Sequence, residues 1–220
     1  MSQHTNIENR FRKLVAHSPC PFAKDAKIMY ALDWDPGIGF TENIHKTLPR
    51  FISFVTNGIS DGYELFVMEI RHESIINQIE DFAGFLNKLL HEIHLSDTTS
   101  VTYFTEGIES MDWDFTFNSI RFFIPTFAPF YERNHPRYSF NTDTAFIMFQ
   151  PDSTFNKYSI NSKNPDRNEL TEKIKTLFLE NDFIYSLKYV KGSIKSIRYV
   201  KPVNLEGPPV KWWLNKQYFE

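Results

Sequence analysis

The chain has 220 residues, 41% of them hydrophobic and 23% charged, with a formal net charge of −3. That length fills one sizeable core, and the slightly acidic balance argues against nucleic acid as a main partner, because phosphate binding needs a basic stripe. One cysteine excludes an internal disulfide framework and fits a reducing compartment, so the expected location is the cytoplasm. No apolar run reaches membrane-spanning length, and the polar start Met1–Arg10 lacks the pattern of a signal peptide. Aromatic residues make up 16% of the chain, Phe alone numbering 22, a content that fills a core and equally lines an apolar cofactor cavity.

Thr5 and Glu8 have capping-box spacing, and Ile7, Phe11, Leu14 and Val15 follow at helical period, which predicts a helix over 6–16. Pro19 and Pro21 end it and hold Cys20 on a rigid turn; the thiol reads as a ligand or as a small buried hydrophobe. Residues 27–34 have strand propensity and Asp35-Pro36-Gly37 makes a turn. Pro49 interrupts the helical spacing of Ile44, Leu48, Phe51 and Val55, so a helix is expected from about Pro49 to Asn57-Gly58. A strand over Tyr63–Ile70 precedes the clearest helix, opened by Ser74 and striped by Ile75, Ile79, Phe82, Leu86, Leu89, Leu90 and Ile93. His91 and His94 near its end have a metal-pair spacing without a matching carboxylate, and helix C-termini favour histidine for dipole reasons.

Residues 97–110 read as a polar connection bearing a strand. Met111–Pro151 then concentrates the functional possibilities. Asp112, Trp113 and Asp114 offer carboxylates beside an indole, an arrangement that suits a guanidinium or ammonium group and equally suits a loop with a packed tryptophan. A long aromatic strand is expected from Phe115 to Phe123, then a polar loop with Arg133, His135, Arg137 and Tyr138, then a strand returning over Ala145–Phe149. Apolar walls around an island of imidazole and guanidinium suit a large, flat, anionic ligand such as a porphyrin, and they suit an ordinary hairpin over a core as well.

Beyond a polar linker, Pro165-Asp166 starts a helix striped by Leu170, Ile174, Leu177 and Phe178. Residues 183–190 and 194–200 look like a hairpin across Lys191-Gly192. The lysines and arginines from Lys188 onward, Lys201 among them, form a basic tail face that holds an anion or is simply solvated. The Pro-rich arm ending in Trp212-Trp213 should lie over the core, since two tryptophans are costly to leave in water. Helices and strands mix without regular alternation or a phosphate-binding glycine pattern, so the expected fold is α+β: a single domain over 1–220, with a mainly antiparallel sheet and helices packed against it. Its ends are an N-terminal helix within 1–17 and a C-terminal Pro/Trp arm over 201–220.

Three pieces, in order, resemble one bacterial family. They are Ser18-Pro19-Cys20-Pro21-Phe22-Ala23; the run from Asp114-Phe115-Thr116-Phe117 through Phe122-Phe123-Ile124-Pro125 and His135-Pro136-Arg137-Tyr138-Ser139 to Phe146–Asp152; and Lys211-Trp212-Trp213. Together they are similar to the YqcI/YcgG family, which includes heme-dependent guanidino N-hydroxylases of the guanitoxin-biosynthesis type. One departure is that Tyr138 and Phe140 stand where arginines of the family's loop are expected.

The resemblance implies an iron protoporphyrin cofactor (heme), O2 and an electron donor. The reaction implied is mono-oxygenation, N-hydroxylating a guanidino or amino group of a small amino-acid-like substrate. It implies His135 as axial ligand to the heme iron with Cys20 as the alternative, and Arg133, Arg137 and Arg121 as partners of the heme propionates. Asp112, Trp113 and Asp114 become the candidates for the cationic substrate. No residue is singled out as catalytic, and a homodimer is left open. The other classes are a heme- or small-ligand-binding protein without turnover, and a non-heme module that recruits a partner through its basic, aromatic tail.

Overall fold

Residues 6–140, 142–157, 167–186, 188 and 193–215 are described in this computed structural model. Helix α1, Ile7–His17, is capped by Asn6, whose side chain accepts from the Asn9 N–H at 3.0 Å. Thr5, the cap expected from the sequence, lies outside the described residues. The apolar face of α1 buries Ile7, Phe11 and Leu14. The same face carries Arg10, whose guanidinium forks onto the fully buried Glu69 carboxylate at 2.7 and 2.5 Å. Glu69 also accepts from the Trp34 N–H at 3.0 Å, so a buried charge pair pins helix, loop and sheet together.

Strand β1 (Ile28–Tyr30) pairs in parallel with β2 (Leu65–Ile70), and the helix between them is longer than the sequence predicts. Helix α2 starts at Phe40 and runs to Ser53 with Pro49 inside it, and a π turn, Phe54–Gly58, follows. Burial explains why the proline is tolerated: Phe40, Ile44, Thr47 and Phe51 share one buried face, and that packing outweighs the one hydrogen bond that proline removes. The single helix expected after β2 is two, a short α3 (Glu73–Ile76) and a long α4 (Ile79–Leu95), because Gln78 between them is extended. Residues 97–110 are turns and contain no strand.

The expected aromatic strand is a hairpin: β3 (Phe115–Phe117) and β4 (Ile120–Phe123) pair across Asn118 and Ser119, with φ of 49° and 63°. Two positive φ values give the turn whose twist matches paired strands. β5 (Thr126–Phe127) and β6 (Ala145–Pro151) follow. β6 is the centre of the sheet: β2 lies on one side, β4 and β5 in succession on the other, all antiparallel to it. The fold is thus α+β with a mixed six-stranded sheet, its only parallel pairing being β1 with β2.

The phenylalanines of these strands form solid core. Phe51 of α2 meets Phe54, Phe66, Phe117, Phe122 and Phe149 at ring separations of 4.9 to 6.4 Å. Each such side chain contributes roughly 1.5–3 kcal/mol by leaving water.

A short helix α5 (Thr154–Lys157), unanticipated, and α6 (Arg167–Glu180) complete the regular structure. The hairpin expected over 183–200 is not found among the described residues: 183–186 are unpaired and Ser196–Arg198 form a 3-10 turn. Residues 187 and 189–192 of that reading lie outside the described residues. The C-terminal arm does lie on the core, with Trp212 and Trp213 buried and Trp212 stacked on Tyr199 at 5.8 Å.

Ser119 is exposed and its positive φ is strained for a residue with a Cβ. Ser119→Gly is expected to stabilise the protein by about 0.5–1 kcal/mol, read as a higher urea midpoint, and Ser119→Val to destabilise it. A lower midpoint for the glycine variant would exclude this turn.

Candidate functional site

The loop between β5 and β6 has no strand of its own, and its shape comes from its hydrogen bonds. Ala128 N–H donates to Arg137 O at 3.0 Å, closing the loop, and His135 and Tyr138 N–H donate back to Glu132 and His135 carbonyls. The loop is then tied to the segment around Lys201. Tyr131 Oη donates to Lys201 O at 2.7 Å, His135 Nε2 to Pro202 O at 3.2 Å, and Arg137 Nη2 to Arg198 O at 3.3 Å.

This arrangement fixes the state of His135. A carbonyl only accepts, so Nε2 carries the proton, and Nδ1 is the acceptor for the Arg137 N–H at 3.1 Å. The ring is 2% exposed and lies flat on Tyr131, centroids 4.1 Å apart. Burial, with Lys201 and Arg137 nearby, pushes its pKa down to about 3. Both nitrogens are engaged with backbone, so iron ligation here would require breaking one of those bonds.

Around it, Arg137 is buried, with its guanidinium over the Phe127 ring at 5.2 Å and its pKa lowered by burial to about 10. Cys20 is half-buried near Arg137 and Tyr185, and burial raises its pKa, so the thiol is neutral. Loop and N-terminal turn therefore bring His135, Arg137 and Cys20 into one neighbourhood.

The other predicted residues lie elsewhere. Asp114 is buried and its carboxylate is shared by Arg121 and by Lys195, the latter at 2.6 Å. Trp113 is buried with its indole N–H on Phe104 O at 2.8 Å. Asp112 is exposed, and its carbonyl accepts from Arg121 at 3.0 Å. Asp114, Trp113 and Arg121 thus hold the β3–β4 hairpin against the chain's C-terminal part, and Asp114 has no charge to spare for a substrate.

Arg133 faces outward into a groove of about 480 Å³ lined also by His17, Glu132, Asn134, Phe140, Asn181, Asp182 and Phe183. Its far wall is fastened by Ile184 N–H donating to Asn134 O at 2.8 Å. Phe140 takes φ 55°, strained for a bulky side chain, and Asp182 takes φ 63°, a conformation that aspartate tolerates just past a helix end. The Phe140 ring stacks on His17 at 5.2 Å and contacts Phe183 at 5.8 Å. His17 Nδ1 lies 2.7 Å from Lys13 O, so it must donate, and Nε2 has no hydrogen-bond partner among the described residues. Glu132 and Asp182 are exposed carboxylates, in no ion pair among the described residues.

The YqcI/YcgG family model matches residues 16–186. The chain belongs to the YqcI/YcgG family. The match takes in the N-terminal turn, the hairpin, the loop and the groove; Lys201 and the Trp212-Trp213 arm lie beyond it. No curated protein and no solved structure matches the chain. No helix among the described residues is long and apolar enough to cross a membrane, and no group of three or more metal-ligating side chains is found among them.

Sequence reasoning missed the groove position of His17 and the burial of Lys201. A histidine ending a helix reads as a dipole partner, and a lysine in a basic tail reads as solvated; only the tertiary contacts say otherwise.

The depressed pKa of His135 has a measurable sign. The folded form refuses a proton that the unfolded chain takes up near pH 6.5, so its contribution is whole above pH 6.5 and is lost as pH falls toward about 3. The full loss is on the order of 5 kcal/mol. His135→Phe keeps the stack on Tyr131 and is expected to flatten stability between pH 6.5 and 4.5. His94, also lowered by burial, leaves a smaller residual slope. An unchanged slope in urea unfolding across that window would contradict the buried neutral imidazole.

Proposed function

We propose that this member of the YqcI/YcgG family is a heme-dependent mono-oxygenase. In this reading it N-hydroxylates a guanidino or amino group of a small amino-acid-like molecule, at the groove beside His17. The observation that supports it is a groove of about 480 Å³, in the size range of cofactor clefts, holding one imidazole with a free nitrogen, two phenyl walls and one guanidinium. Heme, when bound, would supply O2 activation with electrons from an external donor.

The donor set of the groove fits such a group better than the interior around His135 does. The Nδ1–H bond of His17 to Lys13 O fixes the tautomer and ring direction, the usual support for a metal-binding histidine. Arg133 in the same groove suits a propionate carboxylate, and Phe140 and Phe183 offer apolar faces. Cys20 is the weaker alternative, because burial keeps its thiol protonated. Glu132 and Asp182 replace Asp112 and Asp114 as the carboxylates for a cationic substrate, since neither is in an ion pair among the described residues. Recruitment of a partner through an aromatic tail is disfavoured, because Trp212 and Trp213 are buried.

Hemin titration of the purified protein is expected to give a Soret band, with affinity reduced at least ~tenfold in His17→Ala. Incubation with O2, a reductant and arginine or simple amines is expected to yield an N-hydroxylated product, lost in His17→Ala and weakened in Glu132→Gln. Hemin uptake without product would make the protein a carrier. Absence of any Soret band, or an identical one in His17→Ala, would overturn the assignment.

A further inference from the structure

Arg137 and Lys201 are each 8% exposed, and among the described residues neither has a carboxylate partner. The ionisable groups that act on Arg137 from the neighbouring elements are Tyr131, Tyr185 and Cys20, all with pKa values raised by burial and all uncharged at neutral pH. Lys201 meets only more positive charge, from Arg137 and Arg198, and its ammonium lies 5.9 Å from the Tyr185 ring centroid. The adjoining His135 is held neutral by its two backbone bonds. Glu172 acts on Tyr185 from outside this group, and it is engaged with Lys175 at 3.5 Å.

A buried cation costs several kcal/mol unless a counter-charge meets it, and leucine or methionine would fill the same volume without that penalty. The scaffold nevertheless keeps both groups in place. Carbonyls of Arg198, Lys201 and Pro202 are used to hold Arg137, Tyr131 and His135, so the backbone carrying Lys201 is fixed beside the loop carrying Arg137. A planar guanidinium and a point-charge ammonium on two segments clamped together, close enough to act on each other electrostatically, match the two or three oxygens of one oxyanion.

We propose that Arg137 and Lys201 form a buried receptor for a single oxyanion, a carboxylate or a phosphate-type group, carried by a small molecule. The site does not depend on heme, and its anion is the counter-charge that the described residues do not supply. Burial and the neighbouring guanidinium lower the Lys201 pKa to about 7, so binding is coupled to proton uptake by that amine. Without anion, the unfolded chain holds this proton up to about pH 10.5 and the folded one does not, so stability rises with pH between about 7 and 10.5. Bound anion raises the folded value and flattens that rise.

The test uses the heme-free protein at low chloride, with sodium acetate as the carboxylate probe and sodium sulfate as the tetrahedral one, following Lys201 by NMR of labelled lysine side chains. A saturable shift that raises the Lys201 pKa is expected, with affinity falling about tenfold from pH 6 to pH 8 as the amine deprotonates. Response to acetate alone assigns a carboxylate ligand, and response to sulfate alone a phosphate-type one. Lys201→Met is expected to melt higher than wild type without anion, and both it and Arg137→Met are expected to lose the saturable part of the thermal stabilisation. The wild-type titration stands by itself if Arg137→Met does not fold. No saturable shift with either anion, or the same saturable stabilisation persisting in Lys201→Met, overturns the proposal.

Discussion

The site region depends on one set of contacts: the side chains of Tyr131, His135 and Arg137 donating to the carbonyls of Lys201, Pro202 and Arg198. Neither partner segment is a strand or a long helix, so neither has internal hydrogen bonds sufficient to fix its shape. Joined, each supplies what the other lacks. Buried carbonyls find donors, the donors are held in one rotamer, and a loop that would otherwise be mobile becomes a platform. Thr126 Oγ1 on Tyr199 O, and Tyr199 Oη on Phe122 O, both at 2.7 Å, extend the same stitching into β5 and β4.

The clamp divides the loop into two chemical faces. Inward, His135 and Arg137 sit among tyrosines and Lys201 in a low-dielectric interior, where charge is expensive and pKa values move. Outward, Glu132, Arg133 and Asn134 share a solvent-exposed groove with His17 and two phenylalanines. Alternation along a tight loop produces this division, and it explains why residues adjacent in sequence serve different purposes. The strain at Phe140 falls at the groove rather than in the core, consistent with a backbone held in place by the clamp and by the Ile184–Asn134 bond.

Several elements were legible because local and tertiary preferences agree. The stripe of α4, the continuous apolar run of β2 and the apolar face of α1 each match a buried surface. Where they disagree, tertiary packing decides. Pro49 should start a helix, yet α2 carries it in its interior because Phe40 and Ile44 upstream gain more by burial. Asn118-Ser119 lacks the glycine that usually marks a tight hairpin, so two strands read as one. Alternation predicted a strand over 194–200, but Tyr199 and Trp212 gain more by stacking, and the segment winds into a 3-10 turn instead.

By itself the sequence determined the fold class and the family, because those follow from periodicity, from proline positions and from the order of short motifs along the chain. It did not determine which imidazole is free, which carboxylates are spent and which cations are buried. Only the tertiary structure decided those, because the protonation and availability of a side chain depend on groups far away in sequence. Pro202, 67 residues from His135, takes one ring nitrogen; Lys195, 81 residues from Asp114, takes its charge; and Arg137 meets Lys201 only once two irregular segments have been clamped together.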